Sequence, residues 1–174
     1  MKIYYREKSG GIEILRCFGI EGRVEIPGMI DGRLVISAAP YAFSSHMDEK
    51  EELKNASLWE VSEGLGFGRE EHVLAGNDVE EIVFPYTLKE IGRYIFYGCG
   101  NLKKLEFSDS LMQIGCGAFT GCHALEKLTV HMRQGKKSGV KEMLGEMWQR
   151  IDVNFLSEYE DCLLYTSPSP RDRS

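Results

Sequence analysis

The sequence predicts an α/β-type repeat solenoid, strand-rich with short helical turns, fronted by a β-hairpin and followed by an amphipathic helix. Three observations carry this. The chain matches itself under one constant shift, the shift that carries Ile82 onto Leu105 and Leu105 onto Leu128. The matched segments alternate apolar and polar side chains as strands do. Nineteen glycines in 174 residues, about 11% against a usual ~7%, lie at intervals, which suits many tight turns better than one linker.

Composition bounds the rest. The chain is 43% hydrophobic and 28% charged, enough for one folded domain and against wholesale disorder. Its 21 Lys+Arg face 27 Asp+Glu for a net charge of −6, and an acidic chain lacks the basic footprint a phosphate-backbone binder needs, so no nucleic-acid partner is expected. No stretch approaches the ~18–20 apolar residues of a membrane span. Met1 to Gly11 carries Lys2, Arg6, Glu7 and Lys8 around Ile3, Tyr4 and Tyr5, which is no secretory apolar core. Five cysteines without a C-x-x-C pair suit a reducing compartment, and a cytoplasmic location is the expectation.

In chain order, residues 1–23 read as a hairpin cap. Lys2-Ile3-Tyr4-Tyr5 and Ile12 to Phe18 alternate on either side of Ser9-Gly10-Gly11, and an open solenoid end needs such a cover over its apolar surface and unpaired edge. The solenoid runs over 24–130. Its first turn is degenerate: Ile26-Pro27, Ile30, Gly32, Val35 and Ala42-Phe43 fit with a short insertion. A longer insertion at about 44–78 follows. From His46 to Glu81 it and its flank hold eleven acidic and three basic residues, and Met47 to Asn55 favours a solvated surface helix ahead of a mobile loop at Gly64-Leu65-Gly66-Phe67-Gly68.

The repeat is clearest from Val79 on. Val79, Leu102 and Leu125 match; so do Ile82, Leu105 and Leu128, and Phe84, Phe107 and Val130. Leu88 then matches Leu111, Ile91 matches Ile114, Gly92 matches Gly115, Phe96 matches Phe119, and Cys99 matches Cys122. A unit of this length must stack on its neighbours to bury a core. Alternation places Ile82, Phe84, Leu105 and Phe107 inside, and Phe96 and Phe119 as interior anchors. The outward positions, and hence the candidate partner-binding strand face, are Glu81, Val83, Lys104, Glu106, Lys127 and Thr129. A solvated β-face is the plain alternative for the same six.

The pattern Leu102-x-x-Leu105-x-Phe107, Leu111-x-x-Ile114-Gly115-x-x-Ala118-Phe119-x-Gly121-Cys122-x-x-Leu125 resembles the BspA-like leucine-rich repeat family of bacterial proteins. The resemblance covers about Val79 to Val130. In the degenerate first turn Ala38-Ala39 replaces the family's usual Ile-Gly. The resemblance implies stacked turns, no catalysis, and a binding or scaffolding role with another protein as partner. A surface or secreted adhesin-like module, or a substrate-recruiting region of a longer enzyme, are the other roles it allows.

Residues 131–161 read as a helix and the start of a further element. Val140, Met143, Leu144, Met147, Trp148 and Ile151 recur on one helical face that would pack over the last repeat, and a strand opens at Asp152 to Leu156. The last segment, 162–174, from Cys162-Leu163-Leu164-Tyr165-Thr166 onward, resembles the translation of a sequencing-library adaptor. On that reading it is a non-native tail, the native frame is interrupted near Asp161, and the remainder has 19 basic and 26 acidic side chains, a net charge of −7 and four cysteines. A genuine Ser/Pro-rich terminus is the alternative.

No residues stand out for chemistry. Cys99 and Cys122 share one repeat position, where the family resemblance implies a small buried residue, so packing is favoured over a redox or nucleophilic role. His46, His72, His123 and His131 show no metal-ligand spacing. Gly115-Cys116-Gly117-Ala118-Phe119-Thr120-Gly121 resembles a variant of a dinucleotide fingerprint, which belongs between a strand and a crossover helix, but the equivalent run from Gly92 lacks the middle glycine, so the repeat explains the outer two. No cofactor and no metal are expected.

Overall fold

The computed structural model describes residues 1–61, 70–133 and 137–155. Within them the protein is strand-rich with few helical turns. The expectations for Gly64–Gly68 and for 162–174 lie outside the described residues.

Strands β1 (Lys2–Lys8) and β2 (Gly11–Gly19) form the antiparallel hairpin, turning through Gly10 at φ +92°, a conformation that glycine adopts without a β-carbon clash. Three further strands follow: β3 (Arg23–Glu25), β4 (Met29–Ile30) and β5 (Arg33–Ala38). The acidic segment then gives a shorter helix than its propensity predicts. Helix α1 spans only Glu49–Glu52, with the Asp48 carboxylate accepting from the Glu51 amide at 3.4 Å. Asn55, at φ +65°, turns the chain away, and β6 (Ser57–Glu60) pairs antiparallel with β1 in place of a continued helix. A short β7 (His72–Val73) pairs with β2.

From here the sequence period governs the backbone. Strands β8 (Glu81–Val83), β10 (Lys104–Ser108) and β12 (Lys127–Met132) alternate along the chain with the two-residue strands β9 (Glu90–Ile91) and β11 (Gln113–Ile114). Helix α2 (Val140–Leu144) and a 3₁₀ turn over Gly145–Arg150 lead to β13 (Ile151–Phe155). The strands form two sheets. One has the order β13-β12-β10-β8-β3 and is parallel throughout; the other runs β11-β9-β5-β2-β1-β6, with β4 and β7 joined at its side.

In the five-stranded sheet Ile82, Leu105, Leu128 and Ile151 pair in register, each separated from the last by the same sequence offset. Val24 lies beside Ile82 although the acidic insertion separates them in the chain, so the insertion leaves the pairing intact. In the other sheet Ile14, Ala38, Ile91 and Ile114 line up, and all but the last are buried. The second arm of the hairpin thus supplies a strand parallel to the repeat strands.

Between the sheets the aromatic rings repeat as the sequence does. Phe43 stacks on Phe96 with centroids 6.1 Å apart, and Phe119 meets Phe96 at 5.7 Å with the rings tilted by 33°. Phe43 and Phe96 are fully buried, whereas Phe119, last in the row, is only half-buried. Gly92 and Gly115 matter through close approach. A β-carbon on Gly92 would sit 2.4 Å from the Pro40 amide nitrogen, and one on Gly115 2.2 Å from that of Arg93, because the Gly92 and Gly115 amides donate to Ala38 and Ile91 one turn back. Gly117 takes φ +65° at the position where Tyr41 and Tyr94 take +60° and +51°, and the Tyr94 ring lies over it. That geometry accounts for the middle glycine of the fingerprint-like run.

One further expectation changes, and one buried charge had no sequence signal. The stripe from Val140 to Ile151 is not one helix: Gly145 at φ +54° ends α2 after five residues, although Val140 and Leu144 are buried and Met143, Met147, Trp148 and Ile151 pack at the edge of the core. And Arg16, on an alternating strand, is 2% exposed. Its Nη1 donates to the carbonyls of Tyr41, Ala42 and Ser44 at 3.1, 3.1 and 2.6 Å, and Nε to Glu49 at 3.1 Å, so the buried charge is well hydrogen-bonded where the chain leaves β5 for the insertion.

Candidate functional site

All six candidate positions fall on the five-stranded sheet. Register puts them in two rows across it. Arg23, Glu81, Lys104 and Lys127 form one; Glu25, Val83, Glu106, Thr129 and Asp152 form the other. A third tier brings His131 beside them, two positions along β12 from Thr129. Single-sequence reading missed Arg23, Glu25, His131 and Asp152. The signal was available: Asp152 follows Thr129 by the offset that separates Thr129 from Glu106, and Arg23-Val24-Glu25 has the alternation of the later strands.

The six are not equally open. Lys104 and Lys127 are exposed, Glu81, Val83 and Glu106 half-buried, and Thr129 only 7% exposed. Thr129 was expected to face solvent. It does lie in the outward row, but its short side chain sits between Glu106 and Asp152 on the flanking strands, which shield it.

Most of the charges on this face are mutually satisfied. Arg23 pairs with Glu25 at 3.2 Å and with Glu81 at 3.5 Å, and Lys127 with Asp152 at 3.2 Å. The His131 Nε2 and Glu106 Oε1 atoms are in direct contact, and the His131 ring meets Tyr86 edge-on at 5.6 Å. A hollow of about 240 Å³ opens over β8, β10 and β12, with all of the candidate positions except Val83 around it.

The cysteine pair is packed, not poised for chemistry. Burial pushes Cys99 up to about 12 and Cys122 up to about 11, and each thiol donates to a phenylalanine carbonyl one turn back. A thiol held protonated is a poor nucleophile. Among the described residues no group of three or more His, Cys, Asp or Glu side chains could hold a metal ion, and no helix is long and apolar enough to cross a membrane.

A parallel strand ladder with a constant sequence offset and a charged outer face defines the class: a strand-rich repeat protein. Residues 70–140 match the family described as BspA type Leucine rich repeat region (6 copies), and this segment belongs to the BspA-like leucine-rich repeats. Two solved structures are similar. A leucine rich cell surface protein from Faecalibacterium prausnitzii A2-165 is 17% identical, with a TM-score of 0.46, over 76% of this chain and 35% of that one. A leucine rich repeat protein from T. pallidum is 24% identical, with a TM-score of 0.34, over 80% of this chain and 76% of that one. The chain thus spans about a third of the first of these. No curated protein matches it.

Proposed function

We propose that the chain is a non-catalytic leucine-rich-repeat binding or scaffolding module, a solenoid closed at its front by the hairpin, that engages another protein through the face bearing Glu81, Val83, Lys104, Glu106, Lys127 and Thr129. The observation that carries this is the in-register pairing of β3, β8, β10, β12 and β13, which turns one outward position per strand into a continuous row of side chains. Repeat proteins bind through such rows, because each strand adds one side chain at a fixed spacing. Burial holds the Cys99 and Cys122 thiols protonated, which supports their packing role.

An adhesin-like module at the cell surface is the second reading, favoured by the match of residues 70–140 to the BspA-type family. Both readings use the same face and differ in where the chain works.

The test is capture from a lysate and from the surface fraction of the source cells, with the Lys104→Glu/Lys127→Glu double variant against the parent chain and against Lys89→Glu, an exposed lysine outside the five-stranded sheet. A protein retained by the parent and by Lys89→Glu but lost with the double variant supports the proposal. Equal retention by all three contradicts it.

A further inference from the structure

Around the hollow on the strand face, the ionic groups are not equivalent. Glu81 is held by Arg23, Glu106 by His131, and Lys127 by Asp152. Lys104 remains. It stands directly opposite Lys127 on the neighbouring strand, an arrangement of like charges that costs stability unless something relieves it. Its other neighbour, Glu81, is already engaged, and among the described residues Lys104 has no ion pair. Diagonally across on β12, also lining the hollow, is Thr129, more than nine-tenths buried and with a hydroxyl that makes no hydrogen bond among the described residues. That hydroxyl is open to the hollow, so an occupant can hydrogen-bond it.

We infer that the hollow receives a carboxylate: an aspartate or glutamate side chain on an extended segment of the partner protein, taken by the Lys104 ammonium and the Thr129 hydroxyl. This rests on the reading of the strand face as the binding face. Both groups can donate, and an ammonium with a hydroxyl suits an anionic acceptor. A basic side chain would find the two carboxylates of the hollow, Glu81 and Glu106, already occupied and a free ammonium opposing it. At about 240 Å³ the space suits one side chain and its flanking backbone, not a packed helix.

The experiment is an NMR titration of the ¹⁵N-labelled full chain with three blocked tripeptides: acetyl-Gly-Glu-Gly-amide, acetyl-Gly-Gln-Gly-amide and acetyl-Gly-Lys-Gly-amide. The glutamate peptide is expected to give saturable shifts at the amides of residues 104–106 and 127–131, weakened by added salt. Its Kd should rise about tenfold in Lys104→Gln, the loss of one charge-assisted hydrogen bond, and several-fold in Thr129→Val, which keeps the strand shape. The amide spectrum of each variant reports its fold in the same experiment. Equal binding of the glutamine peptide, tighter binding of the lysine peptide, or shifts that map elsewhere would each overturn the carboxylate. If that happens while Lys104→Glu/Lys127→Glu still abolishes partner capture, the strand face stands and only its occupant is wrong; if the double variant captures normally, the face itself fails.

Discussion

The thiol of Cys99 donates to the carbonyl of Phe43 at 3.1 Å, and one repeat further on Cys122 does the same to Phe96 at 3.3 Å. One local contact is therefore repeated with the ring stack beside it. The small, weakly polar side chain at this position adds a second donor to a carbonyl that a backbone amide already engages, that of Gly76 on Phe43 at 2.9 Å and that of Cys99 on Phe96 at 3.0 Å.

That contact has a pH signature. The thiols of Cys17 and Cys99 are pushed up to about 12 and that of Cys122 to about 11, in each case by burial first, from an ordinary 9.0. Unfolded chains then lose these protons more readily than the folded protein. Stability from this source is complete below pH ~9 and falls as pH rises through the folded values. Denaturant titrations at pH 8 and pH 10.5 should show the loss, and Cys99→Ala should flatten it. At pH 8 an aromatic disulfide reagent should modify exposed Cys116 quickly, and Cys17, Cys99 and Cys122 only after unfolding.

The phenylalanine row predicts a gradient. Phe96 is fully buried between the rings of Phe43 and Phe119, and Phe96→Ala should cost roughly 3–5 kcal/mol. Phe119 has a ring partner on one side and is half-buried, so Phe119→Ala should cost about half as much. Chemical denaturation of the two variants measures the difference, and equal losses would contradict the order of the stack.

Glycine substitutions separate close approach from mere turn flexibility. Gly115→Ala forces a β-carbon to 2.2 Å from backbone that cannot swing aside, and should cost more than ~2 kcal/mol. Gly139→Ala meets nothing within 4 Å and should be close to neutral. Thermal melts of the pair suffice.

Arg16→Met should be among the most damaging single changes. It leaves the carbonyls of Ala42 and Ser44 without their donor in a buried site and takes from Tyr41 one of its two donors, a loss of about 3 kcal/mol or more. Glu49→Gln removes only the partly exposed end of the same network and should cost about 1 kcal/mol or less. Similar losses in the two would show that the ion pair, not the carbonyl cluster, fixes the segment.

The rows from Val79 to Val130 were legible because residue types recur at one spacing: Ile82, Leu105 and Leu128 need no structure to be aligned. The next member, Ile151 with Val153, keeps the same spacing and pairs with Leu128 and Val130. It was hidden because residues 131–150 exchange the Ile-Gly and Phe-x-Gly-Cys signals for a helical pattern. The place of β2 beside β5 could not be read, since Ile14 and Ala38 meet through tertiary pairing outside the repeat. Arg16 was invisible for a related reason: alternation gives a face, but not what covers it. On the candidate site, alternation named the outward row, and only the packed neighbours of Thr129 revealed that one member of it is shielded.

Backbone NOEs on the isotope-labelled chain test the central claim most directly. The account predicts inter-strand contacts of the parallel type linking Ile82 with Leu105, Leu105 with Leu128 and Leu128 with Ile151. Antiparallel patterns, or contacts that join these strands in any other register, would contradict it.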